Sequence, residues 1–377
     1  MLSPFTLTNG TVLRPQGTLE SGAVHIAGEQ ILAESADGAE VLDCSGLFVL
    51  PGIVDVHGDA FETELFPRRG VEMDFALAMG SVDRQLIGNG ITTAFHGLTV
   101  SWEPGARSIA AARKFMDNLP GLRRSLVADH RVQLRWEVFA HDVIDDVARW
   151  LAQKPTPALA FNDHSTETLR AMENGEQASL AKWAERAGVS LTEYMRSAAA
   201  LSETGPNVEA KIREVAAMGR AAGAMMLGHD EGSPEERDTN RGIGLSVSEF
   251  PLHTETARAA VKASEHVVLG GPNVLRGASH KGFMSAEGAV RDGLCTVLAS
   301  DYYYPSLMHG VEALVQRGIR DLSAAWALIS SNPAKAMGLS DRGSLEPGKR
   351  ADLVLLDTTG PWRIRHVIAG GRLSSFG

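Results

Sequence analysis

The sequence predicts an α/β protein, a (β/α)8 TIM-like barrel carrying a small sheet domain built from both chain ends. Three observations predict it. Through the middle of the chain, short apolar and β-branched runs alternate with stretches of helical period, and about eight such runs can be counted. Polar, ligand-type residues gather where those runs stop, which is the pattern of a barrel whose active face lies at the strand ends. Both termini are β-rich and turn-rich instead.

Taken in order, residues 1 to about 46 read as short strands and turns. Asn9-Gly10 is a turn signal, and Ala27-Gly28-Glu29-Gln30-Ile31-Leu32 reads as a returning hairpin. The run Val49-Leu50-Pro51-Gly52-Ile53-Val54-Asp55-Val56-His57 follows. Its apolar character suits a strand buried on both faces. Further candidate strands end near Thr99, Phe139, Asp163, His229, Phe250, Gly271 and Asp301. The segment 166–222 is mostly helical and long for a single crossover, so it predicts an inserted helical hairpin. Residues 348–357 and 364–372 return to strand character. The expected division is therefore 1–48 with 341–377 as one composite domain, and 49–340 as the barrel.

The strand ends carry the chemistry. His57 and Asp59 stand two apart, so on a strand their side chains share one side and can grip one cation. Glu137 closes the run 132–137, His164 follows the fourth run, His229 ends the fifth and Asp301 follows the eighth. Each has a plainer reading taken alone. A strand-end histidine is often structural, Asp301 is placed to cap a helix, and Glu137 has Arg131 and Arg135 as ion-pair partners. Three histidines and three carboxylates meeting on one barrel face suit a divalent transition metal, with carboxylate bridging available for a second ion. Such an ion lowers the pKa of water towards about 7, and Asp301 is the candidate acceptor of the proton.

Composition narrows the classes. The 377 residues accommodate a barrel of about 250 plus an appendage. A formal net charge of −10 argues against nucleic acid as a partner, yet leaves room for an anionic substrate held by a local basic cluster. Cys44 and Cys295 are the only cysteines, so no disulfide framework is expected and a reducing cytoplasm fits. The start Met1-Leu2-Ser3-Pro4-Phe5 has neither a basic n-region nor an apolar core. No apolar stretch approaches the roughly 20 residues of a membrane span. Homo-oligomerisation is compatible with the sequence but not specified by it.

Two motifs resemble the amidohydrolase superfamily: Leu50-Pro51-Gly52-Ile53-Val54-Asp55-Val56-His57, and Gly343-Ser344-Leu345-Glu346-Pro347-Gly348-Lys349-Arg350-Ala351-Asp352-Leu353-Val354. The resemblance implies the barrel, a β-sandwich from both termini, and one or two metal ions, with Zn²⁺ expected and Mn²⁺ or Fe²⁺ as alternatives. Within the superfamily the chain is similar to the phosphonate-metabolism branch, the ribose 1-methylphosphonate 5-triphosphate diphosphatases. The residues that carry this are His57-Gly58-Asp59, where most of the superfamily has two histidines, Phe66-Pro67-Arg68-Arg69-Gly70-Val71, Gly90-Ile91-Thr92-Thr93 and Asn162-Asp163-His164. Ser248-Glu249-Phe250-Pro251, the run 270–280 and Ser300-Asp301-Tyr302-Tyr303-Tyr304-Pro305 complete them. The resemblance implies the metal ligands His57, Asp59, Glu137, His164, His229 and Asp301, and release of pyrophosphate from an anionic small molecule.

Several positions depart from the branch. Ser165-Thr166-Glu167-Thr168 replaces its usual Thr-Pro-Gly-Gln, Asp230-Glu231 stands for its acidic pair, and His96 and His253 replace other residues. His164 also follows the fourth strand, where the superfamily draws its later histidines from the fifth and sixth. These changes leave open a second activity, hydrolysis of a cyclic or N-acyl amide, and a non-catalytic metal-binding barrel. For substrate binding the candidates are Arg68, Arg69, Asn273, Arg276, His280 and Lys281, in loops after the first and seventh strands. Guanidinium groups there pair with phosphate oxygens in two-pronged fashion.

Overall fold

A computed structural model describes residues 3–68, 70–203, 207–277 and 284–376. Eight parallel strands form the barrel: β6 (Ile53–Gly58), β7 (Ile91–Val100), β8 (Asp129–Glu137), β9 (Ala158–Asn162), β10 (Met226–His229), β11 (Val247–Glu249), β12 (His266–Gly270) and β13 (Val297–Ala299). Each pairs with the next in chain order. The seam between the last and the first is closed by backbone bonds: Asp301 N donates to His57 O at 3.0 Å, and Asp59 N to Asp301 O at 2.9 Å. The wholly buried Asp55 fastens that seam. Its Oδ1 accepts from Ser300 N at 3.0 Å and its Oδ2 from Ser300 Oγ at 2.5 Å.

The β-branched and small residues of these strands fill the barrel, with Val56, Ala158, Ala160, Val247, Val268 and Val297 forming one buried cluster. The opposite strand faces pack against the surrounding helices through Leu98, Trp136, Leu159 and Leu298. Strands buried on both faces explain why the runs read as continuous hydrophobic sequence rather than alternating sequence. Side-chain caps set several helix starts. Asp74 accepts from Leu77 N before Phe75–Gly88, and Ser108 accepts from Ala111 N before Ile109–Leu122.

The chain ends share one mixed sheet: β1 (Phe5–Leu13), β2 (Leu19–Ala27), β3 (Gln30–Leu32), β4 (Glu40–Asp43), β5 (Phe48–Pro51), β14 (Leu353–Asp357), β15 (Arg363–Ala369) and β16 (Arg372–Ser375). Its core joins Leu7, Val12, Val49, Leu353, Leu355 and Ile368. One boundary differs from the sequence expectation. Val49-Leu50-Pro51, expected to open the barrel, pairs with β14 in this sheet, and the barrel proper starts at Ile53. Leu50 is buried in the cluster between barrel and helices, so a run apolar on both faces gave no sign of where one sheet hands over to the other. After β9 the chain runs through helices Ser165–Glu173, Gln177–Ala187, Leu191–Ala199 and Val208–Ala222 before it regains β10. The first three close around a satellite core of Ala171, Leu180, Ala184 and Tyr194.

Candidate metal centre

The strand ends bring the predicted residues to one mouth of the barrel. His57 ends β6 and Asp59 follows it. Glu137 ends β8, His164 follows β9, His229 ends β10 and Asp301 lies two residues beyond β13. His164 follows the fourth barrel strand as expected, His229 ends the fifth, and the sixth ends in Glu249.

Glu249 organises the histidines. The fully buried carboxylate accepts from His57 Nδ1 at 3.0 Å through Oε1 and from His229 Nδ1 at 2.8 Å through Oε2. Gln133 Nε2 donates to it as well, at 2.6 Å. The two imidazoles lie stacked, centroids 5.6 Å apart, with Phe250 edge-on to both. Burial opposes the charge on Glu249, yet the flanking imidazoles hold its carboxyl well below the usual range. A neutral ring that gives its Nδ1–H to this carboxylate presents Nε2 as a lone pair, the arrangement of a metal-binding histidine oriented by a carboxylate behind it.

Glu137 does the same for His164. It accepts from His164 Nδ1 at 2.6 Å, from the His164 backbone N–H at 3.2 Å and from Ser165 Oγ at 3.1 Å. The resemblance implied Glu137 as a ligand; its carboxylate stands behind His164 instead, outside the donor groupings described below. His164 Nε2 then lies 3.7 Å from Asp230 Oδ2, and His229 Nε2 lies 3.6 Å from the same atom. Burial disfavours the His164 imidazolium, but Glu137 and Asp230 raise its pKa to about 9. Asp230, against burial, is held down to about 2 by the two histidines. Asp301 moves the other way: burial, reinforced by Asp59, pushes its carboxyl up to about 6.

The donor set fits a divalent ion. Atoms of His57, Asp59 and Asp301 lie within 4.8 Å of one another, as do atoms of His164, His229 and Asp230. Imidazole and carboxylate donors together suit zinc, manganese or iron. Three of these loops hold strained backbone, with Asp230, Phe250 and Asp301 at φ of 54°, 53° and 56°. Non-glycine residues in this region carry a conformational cost that persists where the surroundings over-determine it. Gly97 on β7 supplies room: a Cβ there would stand 3.3 Å from His57 Nε2 and 3.2 Å from Arg135 Cδ.

The substrate-binding candidates scatter. Asn273 lines the cavity of about 280 Å³ over the centre, together with His57, Asp59, His229 and Asp301. Arg68 lines a neighbouring cavity of about 670 Å³ between the loop after β6 and residues 185–189. Arg276 is exposed at the last turn of the short helix Gly271–Arg276 and does not line either cavity. Arg69, His280 and Lys281 lie outside the described residues. His96 faces away from the centre: it packs on Phe61 and Phe115 and bonds His130 at 2.9 Å. His253 is exposed just before helix Thr254–Lys262.

Sequence reasoning gave no site role to Glu249, Asp230 or Arg135. The signal for Arg135 was available. Gln133, Arg135 and Glu137 are alternate residues of one buried strand, so they share a face, and three polar side chains in a row cannot all face an apolar helix layer.

A model of the amidohydrolase family matches residues 48–374. The chain is similar to the alpha-D-ribose 1-methylphosphonate 5-triphosphate diphosphatase of Escherichia coli (strain K12), 30% identical over 93% of this chain and 94% of that one. It is similar as well to adenine deaminase 2 of Rhizobium meliloti (strain 1021), 26% identical over 96% of this chain, which spans 55% of that protein. Among solved structures, the dihydropyrimidinase from Brevibacillus agri NCHU1002 shares the fold, with a TM-score of 0.64 at 15% identity over 98% of this chain and 94% of that one. The family model spans most of the chain and the diphosphatase is similar over nearly its whole length, and the chain belongs to the amidohydrolase family.

Proposed function

We propose that this chain is a metal-dependent hydrolase of a phosphoanhydride bond, acting in the cytoplasm on a small anionic substrate such as a 5-triphosphorylated ribose 1-phosphonate and releasing pyrophosphate. The observation that carries it is the convergence of His57, Asp59, His164, His229, Asp230 and Asp301 at one barrel mouth, with every histidine oriented by a buried carboxylate. The similarity to the Escherichia coli diphosphatase supports the choice of bond. A bound divalent ion, Zn²⁺ in this reading, would supply Lewis-acid polarisation and acidify water. The donors that would hold it form two sets, His57 with Asp59 and Asp301, and His164 with His229 and Asp230.

Asp301 takes the proton of the attacking water. Its raised pKa suits a group that accepts a proton near neutrality and gives it up again. A new bond forms from the water oxygen to phosphorus, the bond to the bridging oxygen breaks, and pyrophosphate leaves with the electron pair. Asn273 faces the same cavity as a donor to the substrate's oxygens.

A second reading, hydrolysis of a C–N bond, is favoured by one specific observation. Phe250, Pro251, Leu252, Leu269, Met284 and Tyr302 add apolar surface to the cavity beside its donors, which suits a substrate with an apolar body. Metal-loaded protein is to be incubated with nucleoside triphosphates and the ribosyl phosphonate triphosphate, and pyrophosphate followed. Its release supports the first reading. No pyrophosphate at saturating enzyme, with turnover of cyclic imides or N-acyl amino acids, replaces it with the second.

A further inference from the structure

We propose that the centre holds a single divalent ion per chain, because the Arg135 guanidinium stands as a fixed cation between its two donor groupings. The inference rests on the metal-dependent reading above and deepens it. Arg135 projects from β8 into the barrel mouth and is 5% exposed. Its Nη1 lies 3.6 Å from Asp59 Oδ2, and its Nη2 lies 3.4 Å from His229 Nε2. Those two atoms belong to different groupings, Asp59 to the set with His57 and Asp301, His229 to the set with His164 and Asp230.

Because His229 Nδ1 is committed to Glu249, its Nε2 is the lone pair that a cation needs, and the Nη2–H of Arg135 already faces it. Asp59 is more heavily engaged, with Arg107 Nη2 at 3.4 Å on its other side. Filling both groupings at once would set two dications on either side of a guanidinium cation. The Arg135 Cδ rests in the space that Gly97 leaves free, against the buried His57. One ion, by contrast, leaves Arg135 a partner in the grouping that stays metal-free.

The guanidinium has capacity to spare for the substrate. Nε and Nη1 are buried and make no hydrogen bond among the described residues, while the side chain lines the cavity over the donors. Buried donors without partners are uncommon, and an oxyanion of the bound substrate gives Nη1 an acceptor. The fixed cation thereby supplies the charge that a second ion supplies in a two-metal site.

The test is a metal count. Apo-protein is titrated with Zn²⁺ and with Mn²⁺ by calorimetry, and bound metal is measured by elemental analysis after gel filtration. The expected result is one ion per wild-type chain, and two per chain for Arg135→Met, with the second at least tenfold tighter than any second ion on the wild type. Arg135→Lys, which keeps the charge, is expected to stay at one. Should Arg135→Met fail to fold, Arg135→Gln replaces it with the same expectation of two. Two tightly held ions on the wild type, or one on a folded neutral variant, overturns the inference and leaves the hydrolase reading standing. No ion at saturating metal overturns both.

Discussion

Glu249 fixes more of the centre than any single ligand does, since one buried carboxylate sets the tautomer and angle of two imidazoles. Glu249→Gln keeps the volume but offers the rings one acceptor oxygen and one donor. We expect metal affinity to fall about 10- to 100-fold, as for other carboxylates behind metal-binding histidines. Calorimetry on the variant checks this, and an unchanged affinity would show that the rings hold their orientation without it. Asp301 yields a kinetic prediction. Its working form is the carboxylate and its pKa is raised to about 6, so the rate should drop as pH falls through about 6. Asp301→Asn should lose the activity by about 10²-fold or more and with it that acid limb of the pH profile. The residues legible in the sequence were those that end apolar runs, because a strand terminus is readable from hydropathy. Glu249 also ends such a run, yet its role depends on which histidines lie across the barrel, and only the closed ring of strands brings it to His57, 192 residues away. Arg135 was legible as polar, buried and facing the barrel interior, but its partners were not. A pairing with Glu137 within the strand was the natural reading, whereas Glu137 is saturated by His164 and Ser165.

Most barrel strands end within two residues of where their apolar runs stop, and the mostly helical segment 166–222, expected to carry a helical hairpin, holds four α-helices among the described residues. What hydropathy did not show is the polar clamp between layers. Asp83, on helix Phe75–Gly88, accepts from the backbone N–H groups of Val127 and Ala128 and from His130 Nε2 at 3.0 Å, and His130 in turn bonds His96. The chain Asp83–His130–His96 thus ties one helix to β7 and β8. Burial, followed by the proximity of His130, drives the His96 pKa well below its ordinary 6.5. An unfolded chain takes up that proton below about 6.5 and the folded chain does not, so His96 contributes stability that is lost as pH falls below that value. Burial raises the Asp83 carboxyl, but its hydrogen bonds outweigh this and leave it lowered, a contribution lost at still lower pH. Denaturant melts at pH 7.5 and 5.5 should therefore differ, and His96→Leu should shrink the difference. Asp83→Ala should cost about 3 kcal/mol or more by stranding His130 and two backbone donors. A loss under 1 kcal/mol would mean that water replaces the carboxylate.

At the scale of the whole molecule, the candidate donors come from β6 and β10 and from the loops after β6, β9, β10 and β13, and Glu249 of β11 holds two of them in place. A cation there ties together strands that are distant in sequence, including both sides of the Gly58–Asp301 seam where the barrel closes. The unfolded chain has no such site, so metal stabilises the native state by mass action. At free metal about 1,000-fold above Kd the gain is about 4 kcal/mol. For a chain of this size, that corresponds to roughly 5 °C in the melting temperature. Stripping the protein with a chelator, removing the chelator and confirming zero metal by elemental analysis should lower the melting temperature by that amount and abolish turnover. Re-adding Zn²⁺ or Mn²⁺ should restore both in step, because one set of residues serves stability and chemistry. The combined variant Asp301→Asn with His229→Asn, which lacks a donor in each grouping, should melt at the stripped temperature whether or not metal is added. If that variant still gained several degrees from metal, the stabilising ion would sit elsewhere on the chain, and the barrel mouth would lose its claim to it.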